Sequence, residues 1–334
     1  MKVLLFEYIT GGGLATEPIP RSLAREGGLM LKALIRDLQA IDACHLLVPH
    51  DSRIEPCPKQ ANLDWFQVSP ERPLEAVWKS LLEKADAVWP IAPESRGILQ
   101  RLCQDVVDSG KILLNSAPEA VALTASKFRS LRHLKACGID VLPCGRLAEF
   151  EDQFPGPWVV KPDDGAGCEG SRILKSRTDL EYWKRQAPNP NDLIQPLIEG
   201  EAMSLSMLCK EGDGLLLSCN RQEIERVKDG FFLRGCMVNI ALEKRARYEQ
   251  LAAATARAIP GLFGYVGLDF LLVEGKARVL EVNPRLTTSY AVLSDALERN
   301  VAAHVLELIA WGLPKSLPRC GRALRIDCAT DHEF

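Results

Sequence analysis

The sequence lacks an excess of positive charge: 41 Lys and Arg stand against 44 Asp and Glu, for a net charge of −3. That balance offers no long-range attraction for nucleic acid or for an anionic membrane surface, and small-molecule chemistry is the expectation. No uninterrupted apolar run is long enough to span a bilayer. The opening MKVLLFEYITGGG meets Glu7 too early for a secretory signal core. The 11 cysteines include no CxxC pair and are scattered singly, which argues for reduced, packed thiols in the cytoplasm. There is no internal repeat, no Walker A sequence and no GxGxxG dinucleotide turn. What is present is 334 residues with 47% hydrophobic content, enough for a folded core in two or three lobes.

The chain opens with a strand (VLLFEY), a glycine-rich turn and an apolar helix in which Leu29, Leu31, Leu34, Ile35 and Leu38 recur at helical spacing. Strand-like runs HLLVP, DAVWPIA and KILLN then alternate with helical LEAVWKSLLEKA and SRGILQRLCQDVVDSG, so residues 1–115 read as a parallel α/β domain. Residues 116–192 read as a second unit, with a basic helix SKFRSLRHLKACG, strands GRLAEF and WVVKP, and a Pro/Asn-rich turn at 187–193. Residues 193–334 form the third, with strands DLIQPLI, MSLSMLC and GLLLSCN, an Ala-rich helix over 244–258 and a hairpin, GYVGLDFLLVEGKARVLEVNP.

In that hairpin a three-residue loop of Glu274, Gly275 and Lys276 pairs Val273 with Ala277 and places Asp269 opposite Glu281. Alternation then puts Asp269, Glu281 and Asn283 on one face and Leu268, Phe270, Leu272, Leu280 and Val282 on the other. Two facing carboxylates repel unless a cation lies between them. Mg²⁺ takes hard oxygen ligands and bridges carboxylates to phosphates, so the trio is a candidate metal site; a solvent-facing strand with surface acids is the alternative. Arg285 suits a phosphoryl oxygen or a carboxylate, or is a surface arginine. Lys161 ends an apolar strand, and Gly165, Gly167 and Gly170 follow in a loop whose N–H groups can approach phosphate or merely turn the chain. Lys127 lies on a helix whose basic face can equally be solvated.

Taken in order, Lys127, VVKPDDGAGCEG, QPLIEGEAMSLSML, GLDFLL and VLEVNPR, the sequence resembles the ATP-grasp superfamily over roughly residues 117–312, and the unit before it resembles that family's N-terminal domain. The resemblance implies a parallel α/β domain followed by a two-lobed α+β fold with ATP between the lobes. It implies that Lys127 and Lys161 contact ATP phosphates and that the loop carrying Gly165, Gly167 and Gly170 closes over them. By the same likeness Gln195, Pro196 and Leu197 meet adenine, and Asp269, Glu281 and Asn283 hold one or two Mg²⁺ ions, or Mn²⁺ in their place. The family's ribose-binding acid falls where this chain has Ala202, so Glu201 or Glu199 is expected to substitute.

FEYITGGG, EGGLMLKALIRDL, SCNRQEI and LEVNPRLTTS are most similar to the carboxylate–amine ligase group that includes the tyramine–glutamate ligase of methanofuran biosynthesis. That likeness implies activation of a glutamate-like carboxylate as an acyl phosphate and its capture by an amine such as tyramine or tyrosine. Arg285 is the candidate for the oxyanion and Arg221 a second candidate near the substrate. Glu7, Tyr8, Thr10 and Gly11 to Gly13 are candidates for the N-terminal wall of the site. A small-molecule kinase on the same scaffold and a nucleotide-binding regulator without catalysis are the rival readings.

Overall fold

The computed structural model describes residues 1–56, 61–165, 170–186, 189, 191–241, 243–317 and 320–328. The N-terminal part is a five-stranded parallel sheet of β1 (Lys2–Glu7), β2 (His45–Asp51), β3 (Leu63–Val68), β4 (Ala87–Ile91) and β5 (Ile112–Leu113), in the order β3-β2-β1-β4-β5. Strands buried on both faces need helices on both. On one side α1 (Arg21–Gln39) buries Met30, Leu31, Leu34, Ile35 and Leu38; on the other α2 (Leu74–Lys84) and α3 (Ile98–Asp108) bury Trp78, Leu81, Leu99 and Val106. The strand order reverses between β1 and β4, which opens a crevice at their carboxyl ends.

After α4 (Pro118–Ala125), whose proline fits the first helical turn, and α5 (Lys127–Ala136), capped by the Ser126 hydroxyl, comes a small antiparallel sheet. It consists of β6 (Gly145–Arg146), β7 (Trp158–Lys161), β8 (Arg172–Leu174) and β9 (Leu193–Pro196) in the order β6-β9-β7-β8, covered by α6 (Arg177–Gln186). The large antiparallel sheet contains β10 (Glu201–Lys210), β11 (Asp213–Val227), β12 (Gly230–Val238), β13 (Gly264–Val273), β14 (Lys276–Asn283) and β15 (Leu324–Asp327), in the order β14-β13-β10-β11-β12-β15. One face buries Met203, Leu205, Leu268 and Phe270 against α5 and α7 (Arg245–Ala258), each full burial contributing roughly 1.5–3 kcal/mol. The other face carries Ser204, Ser206, Asn220 and Asp269. Farther along, Tyr265 and Leu208 join the core of α1, α8 (Tyr290–Leu297) and α9 (Val301–Trp311). The buried Asp37 of α1 accepts from Tyr290 Oη at 2.9 Å and Ser294 Oγ at 2.5 Å, locking α1 to α8. Among the described residues no helix is long and apolar enough to cross a membrane.

The β13–β14 hairpin differs from its expectation. Its loop has two residues, Glu274 (φ 49°) and Gly275 (φ 75°), and Val273 pairs with Lys276 instead of Ala277. Positive φ at both positions matches the twist of the flanking strands. Asp269 still faces Glu281, because a bulge between the Asp269 and Phe270 pairings leaves Leu280 unpaired and restores the register. In consequence Val279, not Leu280, joins Phe270 and Val282 in the core. GRLAEF supplies only a two-residue strand and a short 3₁₀ turn, and KILLN only Ile112–Leu113; β3, β8, β12 and β15 are additional strands.

Candidate active site

Lys127 is the first residue of α5, and its position is over-determined. Its N–H donates to the Asp163 carbonyl at 3.0 Å. The Asp163 carboxylate accepts from Ser126 Oγ at 2.7 Å and from the Phe128 N–H at 2.8 Å, and pairs with Arg146 at 2.9 Å. The side chain, only 7% exposed, places Nζ 2.9 Å from Glu281 Oε2 and donates to the Gly165 carbonyl. Burial alone would lower the lysine's pKa, but Glu281 reverses the sign and raises it.

Asp269 and Glu281 stand side by side, in register across β13 and β14. Burial and the charge of Glu281 raise the Asp269 pKa, whereas Lys127 and Lys161 outweigh the burial of Glu281 and lower its pKa. Crowding of two acids thus pushes Asp269 toward its neutral form, while the two lysines favour the charged form of Glu281. Asn283 Nδ2 and Gln222 Nε2 each donate to Asp269 at 3.2 Å, fixing its two oxygens. Two carboxylates and an amide carbonyl are a hard-oxygen donor set, and these residues fit Mg²⁺. The half-buried Lys161 ends β7 and acts on Glu281 by its charge.

Several candidates lie elsewhere than expected. Arg221 is in register with Met203, which is in register with Phe270, so it belongs to the sheet face opposite Asp269 and is exposed. Its neighbour Gln222 takes the place at the acids. Glu201 pairs with Leu272, again on the face away from Asp269, and strand alternation gives Ala202 and Ser204 the acid face; Glu199 is exposed and paired with Arg226 at 2.8 Å. The backbone edge at Gln195 to Leu197 is partly committed, since the Leu197 N–H donates to the Pro157 carbonyl at 2.8 Å and Pro196 has no N–H. Register directs the Pro196 carbonyl toward the side where β6 has already ended. The Gln195 side chain is buried with Nε2 unpaired. Gly170 (φ 72°) turns back onto Pro162, Gly165 offers its carbonyl to Lys127, and Gly167 lies outside the described residues.

Arg285 leaves β14 toward the N-terminal sheet. Its guanidinium pairs with Glu94 Oε2 at 3.0 Å and donates to the Leu286 carbonyl at 3.0 Å, and Nε has no partner. Glu7 is buried and accepts from the Thr10 N–H at 2.7 Å, Thr10 Oγ1 at 2.6 Å and the Ile9 N–H at 3.2 Å; burial raises its pKa. Gly12 (φ 93°) lets the loop after Glu7 close tightly. Sequence reasoning passed over Glu94, Gln222 and Asp163. A signal existed for Glu94, which follows the carboxyl end of a parallel strand, where such sheets bind ligands; Gln222 and Asp163 depend on contacts between distant segments.

A family model for the ATP-grasp domain matches residues 124–289, and one for the pre-ATP-grasp domain matches residues 44–121. The tyramine–L-glutamate ligase of Methanocaldococcus jannaschii is 27% identical over 289 residues, spanning 86% of this chain and 83% of its own. An ATP-grasp superfamily protein from Archaeoglobus fulgidus superposes with a TM-score of 0.72 at 24% identity, over 98% of this chain and 92% of that one. The biotin carboxylase domain of Hydrogenobacter thermophilus 2-oxoglutarate carboxylase, solved with MgADP and bicarbonate, superposes with a TM-score of 0.70 at 16% identity, over 96% of this chain and 71% of that one. These two structural likenesses concern the fold.

Proposed function

The chain belongs to the ATP-grasp family, and on that premise we propose that its buried acid–lysine cluster activates a carboxylate with ATP. The enzyme is an ATP-dependent carboxylate–amine ligase. The observation that carries the site reading is Lys127 Nζ at 2.9 Å from Glu281 Oε2, with Asp269 alongside and Lys161 contributing its charge from the small sheet. In this reading Lys127 exchanges the Gly165 carbonyl and Glu281 for phosphate oxygens, and Lys161 joins it. Asp269, Glu281 and the Asn283 carbonyl would hold Mg²⁺, with Gln222 orienting Asp269. The metal, when bound, offsets the charge of the transferring phosphoryl group. Gln195, the Pro196 carbonyl and Leu197 border the adenine.

The carboxylate attacks the γ-phosphoryl group in line, giving an acyl phosphate and ADP. The amine then attacks the acyl carbon and phosphate leaves, and Arg285, two residues beyond Asn283, would meet a developing oxyanion once its hold on Glu94 loosens. Likeness to the tyramine–L-glutamate ligases supports L-glutamate as the acid and tyramine as the amine. We take residues 1–115, 116–192 and 193–334 as the three working units and place the protein in the cytoplasm. The test is incubation of the purified protein with ATP, Mg²⁺, L-glutamate and tyramine. The expected products are ADP, phosphate and the glutamyl amide in equal amounts. Release of AMP and pyrophosphate would refute the acyl-phosphate route, and a stable phosphorylated acid made without amine would reassign the protein as a kinase.

A further inference from the structure

The strand reversal between β1 and β4 makes their carboxyl ends a ligand crevice. Glu7 ends β1, Glu94 follows β4 by three residues, and Glu26 faces the same region from α1. Into this crevice the large sheet sends one guanidinium, Arg285. Lys127 also feels Glu94, but its ammonium is committed to Glu281 and Gly165. Two of the three acids are free of a buried oxygen without a donor: Glu7 accepts on both oxygens from Ile9 and Thr10, and the half-buried Glu26 accepts from Thr288 Oγ1 at 2.7 Å. Glu94 is not. It is 7% exposed, its Oε2 takes Arg285, and its Oε1 has no donor.

A buried carboxylate oxygen without a donor is costly, and the group that best relieves it both donates hydrogen bonds and carries positive charge. A ligand hydroxyl would supply the bond but leave the acidic surplus, and a second carboxylate there would be repelled. An ammonium group meets both requirements. It belongs to the acid and not to the attacking amine, because an amine must be uncharged to attack, whereas Glu94 favours the charged form. Resting on the ligase reading above, the geometry points to Glu94 as the residue that recognises the amino-acid substrate, its Oε1 holding the substrate's spectator ammonium in the crevice between β1 and β4.

The test uses the full chain with ATP, Mg²⁺ and hydroxylamine in place of the amine, so that only the acid is read. Hydroxamate and ADP are measured for amino acids and their deamino counterparts: L-glutamate with glutarate, L-aspartate with succinate and L-alanine with propionate. The wild type is expected to favour the amino acid of its best pair by about 10- to 100-fold in kcat/KM, the range for a charged hydrogen bond. Glu94→Gln should bring that ratio to within about threefold of one, whatever the absolute rate, and Glu94→Asp should keep part of it. Thermal melting establishes that each variant is folded; should Glu94→Gln not fold, a wild-type ratio in Glu94→Asp overturns the inference. Equal loss for both members of a pair overturns it too, because a residue that only braces Arg285 would act on both. Lack of discrimination by the wild type has the same force. Absence of ADP with every acid would instead overturn the ligase reading itself.

Discussion

Removing the Asp163 carboxylate should loosen the start of α5 and with it the buried Lys127. Asp163 is 9% exposed and accepts from Ser126 Oγ, the Phe128 N–H and Arg146, all within 2.7 to 2.9 Å. A hydrogen bond to a charged group contributes about 1.5–3 kcal/mol, but three bonds to one carboxylate do not add fully. Part of the loss is recovered because Arg146 stays stacked 4.6 Å from the Phe128 ring centroid and Ser126 still caps the Arg129 N–H at 3.2 Å. Asp163→Ala is therefore expected to cost roughly 2–4 kcal/mol in urea unfolding, and Asp163→Asn, which keeps one carbonyl acceptor, about half of that. The Lys127 N–H keeps its bond to the residue 163 carbonyl, so the helix should form but hold its lysine less firmly. The KM for ATP should rise about tenfold, equivalent to roughly 1.4 kcal/mol. An Asp163→Ala protein within about 0.5 kcal/mol of wild type and with unchanged KM would refute this account of how Lys127 is placed.

Asp269→Asn and Glu281→Gln should each abolish ADP formation while leaving the circular dichroism spectrum intact, and chelation should stop wild-type turnover until Mg²⁺ is restored. Gly275→Ala puts a side chain at φ 75° in open space and should cost about 1–2 kcal/mol in unfolding without touching turnover, since the hairpin tip is remote from the acids. Gly27→Ala would place a Cβ 2.5 Å from the Glu7 carboxyl carbon; a loss of about 1–3 kcal/mol, read by thermal melting, is expected from the overpacking. The Asp51 pKa is lowered chiefly by the Arg53 guanidinium, so its contribution is full above the unfolded value of about 3.9 and is lost as pH falls through the folded value. Melting temperature should therefore fall less steeply below pH of about 4 in Asp51→Asn than in wild type; parallel curves would contradict that assignment.

Local pattern carried much of the fold. The helical spacing of Leu31, Leu34, Ile35 and Leu38 and the strand–helix alternation gave the parallel sheet, and the two apolar strands around Gly275 gave the hairpin. Its register illustrates the boundary of such reasoning. Asp269 faces Glu281 through a two-residue turn plus a bulge, and one extra residue in the loop would have produced the same pairing. Arg221 and Glu201 lie on the face away from the acids for another reason. Which face each occupies is set by the pairing of β10 with β11 and β13, partners far apart in sequence, and a one-residue change of register inverts every side chain. The same pairing brings Gln222 to Asp269 across 47 positions of chain. Glu94 was hidden because a carboxylate after a strand resembles a surface acid until Arg285, 191 residues later, is seen to bury it.

The central claim is that the cluster of Lys127, Glu281 and Asp269 drives formation of an acyl phosphate. It is tested most directly by following oxygen-18 from a labelled substrate carboxylate into the phosphate released during amide synthesis, read by phosphorus NMR. One labelled oxygen per phosphate is predicted, with ADP as the other product and no transfer in Glu281→Gln. Amide formed with unlabelled phosphate would contradict the account.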